Sequence, residues 1–265
     1  MRILLYSDYP ALFEALQQES KRYSGITLLQ ASPDTELLTL PDFQFIVLAP
    51  LAGTTEAGAT PSSATQLDTW QEKITTLVEL CSLRQARLIF ISSDLVFTPS
   101  QQAVNELDSP ENTSPLATSL LRLEKIIAKL PQSITLRLPP SLSAAPEGGL
   151  AQLVARCQAK EPPEQLNYRG LQPLDDLARI LLSIILQVDA GAKATGIYHY
   201  AGSEPVSQSD LFITLERLLK INIGSAQGIS LTNNLTISTK HLLETFGIHP
   251  RAWREKLPEL LEQLK

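Results

Sequence analysis

Two short polar clusters follow apolar runs in this 265-residue chain, and their side chains are the best placed to meet a ligand. The first is Ser92-Ser93-Asp94, after the run Leu88 to Ile91. Its hydroxyls and carboxylate could form a small polar site at a strand end, or Asp94 could brace the turn that follows, as aspartate commonly does. The second is Ser7-Asp8-Tyr9-Pro10, after the run Arg2 to Tyr6. There the hydroxyls of Ser7 and Tyr9 could take the place of backbone donors toward a ligand. Alternatively, Pro10 opens a helix at its first position, where proline is well tolerated. No Ser-His-Asp or Cys-His signature accompanies either cluster. His199, His241 and His249 lack ligand-like spacing, so no metal is expected. Cys81 and Cys157 are isolated within apolar helical patterns and read as buried thiols.

The elements that hold these clusters alternate. Arg2 to Tyr6, Ile26 to Leu29, Phe45 to Ala49, Leu88 to Ile91 and Ile134 to Leu138 are short apolar runs, read as strands. Ala11 to Tyr23 and the series Leu67, Trp70, Ile74, Leu77, Val78, Cys81 carry helical spacing between them. Strands apolar on both faces and alternating with helices indicate a parallel sheet covered on two sides, a Rossmann-type doubly wound α/β fold. Leu51 to Gln66 reads as a long loop at a strand's carboxyl end, where such sheets bind ligands or carry a bare surface loop. Later helices are expected over Leu150 to Ala159, Asp175 to Leu186, Gln208 to Leu219 with Ser207 as cap, Lys240 to Phe246 and Arg251 to Leu264. Gly196 to Tyr200 and Ile229 to Leu231 read as strands. This order suggests a Rossmann-type domain over 1–136 plus roughly 175–200, and a smaller C-terminal substrate-type subdomain over 137–174 plus roughly 201–265.

Composition limits the partners. The chain is 43% hydrophobic and 19% charged, enough apolar mass for a full core. Its net charge of −6 argues against nucleic acid and anionic membranes, which need a basic face. No run reaches transmembrane length and the apolar start is too short for a signal segment, so a cytoplasmic location is expected.

The stretch from Arg87 to Lys125 resembles the centre of the extended short-chain dehydrogenase/reductases, specifically the dTDP-4-dehydrorhamnose reductase family. The family's STDYVFDG matches Ser92-Ser93-Asp94-Leu95-Val96-Phe97, and its NPLNxYGxSK begins as Ser114-Pro115-Leu116. Gly170 to Ala178 is similar to its PTYVEDLA, Gly196 to Ser203 to its GIYHLAGSG, and Phe246-Gly247-Ile248 with Trp253-Arg254 to its FGI and WREAL. The likeness therefore spans nearly the whole chain. It implies a Rossmann fold that binds NAD(P) and a nucleotide sugar.

The same likeness exposes three departures. Hydride transfer to a ketone needs an acid that protonates the developing alkoxide. In the family a tyrosine does this, its pKa lowered by a lysine four residues later. Here Ser119 and Leu123 occupy those places, and no tyrosine in the chain has a lysine at that spacing; Ser93 matches the family's Ser/Thr position. Lys125 lies on the same helix but roughly 200° around from Leu123. The family's three loop glycines are replaced by Ser7, Pro10 and Phe13; Pro10 removes an N–H, and Asp8 adds a charge that repels phosphate. The second strand ends Leu29-Gln30-Ala31, with no acid at its tip for ribose hydroxyls. Leu231 replaces a nucleotide-facing arginine, although Asn234 is kept. Arg137 and Arg169 remain as anion contacts or as surface charges.

A degenerate homologue follows, with a binding or regulatory role, no reductase activity, and no cofactor or a weakly held NAD(P). Its substrate-side candidates are Ser92, Asp94, Arg137 and Asn234; its cofactor-loop candidates are Ser7, Asp8, Tyr9 and Pro10. An active NAD(P)H-dependent nucleotide-sugar reductase or epimerase with a rearranged site is one alternative. A protein-interaction subunit, with a protein partner or as a homodimer, is another; an exposed Trp70 or Trp253 would favour it. A cleft plugged by Tyr9 or Phe13 would argue against a small-molecule nucleotide or nucleotide-sugar ligand, and a cavity beside Ser7 to Ala11 and Ser93 would argue for one.

Overall fold

The computed structural model describes residues 1–50, 64–146, 148–164, 166–221 and 236–264. The expected loop over 51–66 and strand at 229–231, with Leu231 and Asn234, lie largely or wholly outside them. The elements are β1 (Arg2–Tyr6), α1 (Pro10–Ser20), β2 (Thr27–Ala31), β3 (Phe45–Leu48), α2 (Ala64–Arg84), β4 (Arg87–Ser93), α3 (Pro115–Ile127) and β5 (Ile134–Leu138). There follow β6 (Ser141–Leu142), α4 (Gly149–Gln158), β7 (Asn167–Tyr168), β8 (Gln172–Pro173), α5 (Leu174–Asp189) and β9 (Gly196–His199). Last come β10 (Val206–Ser207), α6 (Gln208–Leu219), α7 (Lys240–Phe246) and α8 (Trp253–Gln263).

Side-chain alternation in the central strands sets the layers. In β1, Ile3 and Leu5 face one side while Leu4 and Tyr6 face the other, and all four are buried. The first side packs on Leu12 and Leu16 of α1, on α5, and on Leu242 and Phe246 of α7. The second packs on α2, through Trp70, Ile74 and Leu77, and on α3, through Leu120, Leu123 and Ile127. The strands run parallel in the order β2-β1-β3-β4-β5-β9. The chain moves outward from β1 to β2 and then returns to β3 on β1's other side. The carboxyl ends of β1 and β3 thus flank the switch point, where open α/β sheets bind ligands.

A third apolar cluster joins Leu150 and Leu153 of α4, Leu211, Phe212 and Leu215 of α6, and Trp253 and Leu257 of α8. Two small sheets, β6–β8 and β7–β10, tie it to the main sheet. Gly202 fixes one crossing, because a Cβ there would lie 2.1 Å from the Leu171 carbonyl oxygen. Trp70 and Trp253 are both core residues.

Most expected elements are present, and the differences have local causes. Helix α1 ends at Ser20 rather than Tyr23, with Lys21 as its cap. Helix α8 starts at Trp253 rather than Arg251, because the Arg251 carbonyl accepts the Ser203 N–H instead. Strand β4 runs two residues beyond Ile91, since Ser92 and Ser93 pair with Arg137 and Leu138 of β5.

Candidate functional site

The carboxyl end of β4 carries the first polar cluster. Ser92 lies on the α3 side of the sheet, where its Oγ donates to Glu124 Oε1 at 2.6 Å. Glu124 also takes Arg137 in a two-pronged pair, Nε to Oε1 at 3.0 Å and Nη2 to Oε2 at 2.7 Å. Both partners are buried, so this is a strong charge-assisted contact whose halves depend on each other. Ser93 Oγ accepts the Leu95 N–H at 3.2 Å and so caps the single 3₁₀ turn Asp94–Val96. Asp94 is buried with Arg169 at 3.9 Å; burial pushes its carboxyl up to about 7, against the opposing pull of that guanidinium.

Apolar side chains pack beside these groups. Leu123 is 1% exposed and belongs to one cluster with Val96, Phe97, Val104 and Ile237. Ser119, on the same face of α3, is buried as well. Residues 98–112 form a strap, stitched to 236–238 by Val104 N–H to the Thr236 carbonyl (3.2 Å) and Ser238 N–H to the Val104 carbonyl (2.7 Å). Arg169 bridges the two by donating to the carbonyls of Thr98 (2.7 Å) and Thr236 (3.2 Å). The carboxylate of Glu106 takes the His199 N–H at 2.9 Å. Beneath the strap, Arg137 and Arg169 lie 5.3 and 5.7 Å from the Phe97 ring, which His199 meets edge-on. His199 is fully buried with both ring nitrogens unpartnered among the described residues. Burial, then Arg137, Arg169 and His241, pull its pKa down to about 3, so the ring is neutral and a poor base.

The switch point is open by contrast. A cavity of about 1440 Å³ begins at Asp8, Tyr9, Pro10 and Ala11 and extends along α1 to α8, with Asp34, Pro50 and Trp70 on one wall and Ser143 to Pro146 on another. Pro10 is the first residue of α1, which has no side-chain cap. Tyr9 lines the cavity rather than plugging it, its hydroxyl 2.9 Å from Ser143 Oγ. Phe13 packs against the core. Ser7 is buried: its Oγ donates to the Ala49 carbonyl at 3.0 Å and accepts the Tyr9 N–H at 3.2 Å, tying the ends of β1 and β3 together. None of Ser92, Ser93, Asp94, Ser119, Leu123 and Arg137 contributes to the cavity wall.

The structure therefore separates the expected site residues into two groups. Asp8, Tyr9 and Pro10 face the cavity, with Ser7 behind them. Ser92, Ser93, Asp94 and Arg137 are buried at the carboxyl ends of β4 and β5, and Ser119 and Leu123 are buried on α3, whose Glu124 binds Ser92 and Arg137. Arg137 and Arg169 are buried, paired side chains rather than surface charges, and Lys125 is exposed. Asn234 lies outside the described residues. Sequence reasoning missed Glu124, although an arginine inside an apolar strand was a sign that a buried carboxylate must exist nearby. It also missed Asp34, which reaches the cavity wall three residues beyond the end of β2.

Comparison with known proteins agrees with this architecture. The family model described as RmlD substrate binding domain matches residues 55–265. No curated protein sequence matches the chain. Among solved structures, a dTDP-4-dehydrorhamnose reductase of Clostridium acetobutylicum superposes with a TM-score of 0.79 at 18% identity, covering 100% of this chain and 99% of that one. The Bacillus anthracis dTDP-4-dehydrorhamnose reductase in complex with NADP gives 0.74 at 14% identity, covering 99% of each chain. MoeE5 in complex with UDP-glucose and NAD gives 0.75 at 15% identity, over 98% of this chain and 97% of that one. These structures share the fold. No described helix is long and apolar enough to cross a membrane.

Proposed function

We propose that the chain, which belongs to the RmlD substrate binding domain family, is a non-reducing member that uses the fold for ligand binding or regulation. The observation that carries this reading is the packed state of the β4 end. Ser119 and Leu123, at the positions where the family resemblance expects tyrosine and lysine, are buried on α3, with Leu123 in the same apolar cluster as Val96, Val104 and Ile237. A serine hydroxyl titrates far above the tyrosine range and reaches less far, and leucine carries no charge to lower it. Ser93 accepts the Leu95 N–H within a turn, and the Ser92 hydroxyl and the Arg137 guanidinium both donate to Glu124. Asp94 faces Arg169 rather than a ligand.

On this reading NAD(P) is weakly held or absent. Pro10 offers no N–H to a pyrophosphate, and Asp8 places a carboxylate at the cavity mouth. The Rossmann unit, 1–136 with roughly 175–200, supplies the sheet end, and the smaller unit supplies the facing wall through Ser143 and Lys256. The free thiols Cys81 and Cys157 fit a reducing cytoplasm. The test is NADPH oxidation, followed at 340 nm, with a dTDP-4-keto-6-deoxysugar: the rate should equal that without protein. A protein-dependent rate would overturn the reading.

An active nucleotide-sugar reductase or epimerase remains the second reading, because the switch-point cavity is open and structurally similar proteins were solved with NAD or NADP. It expects turnover in the same assay. Trp70 and Trp253 are buried, so neither lends support to the protein-interaction reading.

A further inference from the structure

One guanidinium fastens three separate parts of the chain. Arg169 stands just after β7, and its neighbour Gly170 sits at φ +149° with the Gly202 carbonyl oxygen 3.1 Å from where a Cβ would lie, which fixes the anchor. From there the buried side chain donates Nη2 to the Thr98 carbonyl, at the start of the strap, and Nη1 to the Thr236 carbonyl, on the segment the strap meets. Its Nε lies 3.9 Å from Asp94. The far end of the strap returns to the same turn, where Asn112 donates its N–H to the Val96 carbonyl and its Nδ2 to the Leu95 carbonyl.

Asp94 is poorly served by comparison. A good charge-assisted bond to a carboxylate is about 2.7–2.9 Å long. This buried carboxylate has the Ser93 hydroxyl at 3.4 Å and Arg169 at 3.9 Å, while both terminal nitrogens of that guanidinium go to neutral carbonyls. A buried charge met so loosely favours its protonated form. Burial accordingly holds the carboxyl up at about 7, against the pull of Arg169, of the Ser93 hydroxyl and of its own backbone.

The charged groups on the surrounding elements are turned elsewhere. On α3, Glu124 pairs with Arg137 of β5, while Arg122 and Lys125 are exposed. On the strap, Glu106 takes the His199 N–H, Asp108 takes the Asn105 N–H, and Glu111 is exposed. His199 of β9, with its pKa pulled down to about 3, stays neutral. His241 is exposed on α7, stacked on Tyr198.

We infer that the strap is a pH-released latch, held shut through Arg169 while Asp94 carries its proton and freed as Asp94 ionises. Release would expose Val104 and Ile237, which lie buried in one cluster when the strap is shut. An open strap returns Asp94 to water and to the ordinary carboxylate range, so the shut form keeps its proton to higher pH. Closure is therefore strongest in acid and is lost as pH rises through about 7.

Amide exchange followed by NMR tests the latch. The Val104 and Ser238 N–H groups, whose bonds join the strap to its facing segment, should exchange through a local opening, faster than the β3 amides and without following them in dilute urea. Their protection, corrected for intrinsic exchange, should fall about tenfold from pH 6 to pH 8. Asp94→Asn, which leaves His241 in place, should abolish that fall. In the parent protein the Asp94 carboxyl carbon should titrate at about 7, a measurement that needs no variant. Exchange of the strap amides only together with β3, protection that does not fall, a fall that survives Asp94→Asn, or a carboxyl midpoint in the ordinary carboxylate range would each overturn the latch.

Discussion

The carboxyl ends of β4 and of β1 lie on one edge of one sheet, yet they have opposite characters. At the β4 end, the Ser92 hydroxyl, the Glu124 carboxylate and the Arg137 guanidinium face each other, with leucine, valine and isoleucine packed nearby. At the switch point the same edge borders a cavity of about 1440 Å³, with Asp8, Glu14 and Asp34 on its wall and no ion pair to any of them among the described residues. A doubly wound sheet provides a place for ligands at this edge but does not dictate the chemistry there. On the proposed reading, two helix positions, Ser119 and Leu123, differ in kind from the rest of the sheet edge while the layers stay intact.

Substitutions on the two sides should differ most in stability. Glu124→Ala leaves Arg137 buried without its partner and should cost about 3–5 kcal/mol, lowering Tm by roughly 10 °C. Glu14→Gln, on the cavity wall, should change stability by less than about 0.5 kcal/mol. Equal effects in denaturant melts would erase the contrast between filled and open ends.

Restoring the expected pair sharpens the same contrast. In the double variant Ser119→Tyr, Leu123→Lys, a lysine enters a site that is 1% exposed, and the phenol adds volume to a packed layer. A loss of about 3 kcal/mol is expected, with no NADPH oxidation gained. A stable variant that oxidises NADPH would show the site to be latent rather than filled.

The pH dependence comes next in size. Asp94 has a folded pKa of about 7 against 3.8 in the unfolded chain, so between these values the folded state binds more protons. Stability should therefore be highest below the unfolded pKa and fall as pH rises toward 7. The difference between the two values corresponds to at most about 4 kcal/mol, and relaxation around Arg169 should reduce the observed fall to about 2 kcal/mol. Asp94→Asn should flatten that slope in urea melts at pH 4.5 and 7.5; an unchanged slope would place the titration elsewhere. On the open side, Tyr9→Phe loses the hydrogen bond to Ser143 and should cost about 1 kcal/mol, between the effects of Glu124→Ala and Glu14→Gln; a loss as large as that of Glu124→Ala would contradict this.

The layers were legible because their signals are local. Ser207 caps α6 and Asp210 returns the bond, a capping box visible in four consecutive residues. Lys240–Phe246 and Ile134–Leu138 agree with their sequence patterns to the residue. The buried network was not legible. In Leu123-Glu124-Lys125 the glutamate looks like any solvated helical acid, and its partners Ser92 and Arg137 come from two strands whose register appears only once the sheet forms. Asp34 was hidden for a similar reason, since the chain past Ala31 stays at the cavity before turning away. The separation of Ser93 from the cavity depends on the strap, whose hydrogen bonds to 236–238 span more than 130 residues of chain.

Deuteride transfer tests the central claim most directly. Protein in excess over a dTDP-4-keto-6-deoxysugar, incubated with [4-²H]NADPH of each stereochemistry, should return the sugar nucleotide with no deuterium at C4 by mass spectrometry. Deuterium incorporated at C4 in proportion to protein, and abolished by Ser93→Ala, would contradict the account and restore the β4 end as a working reaction centre.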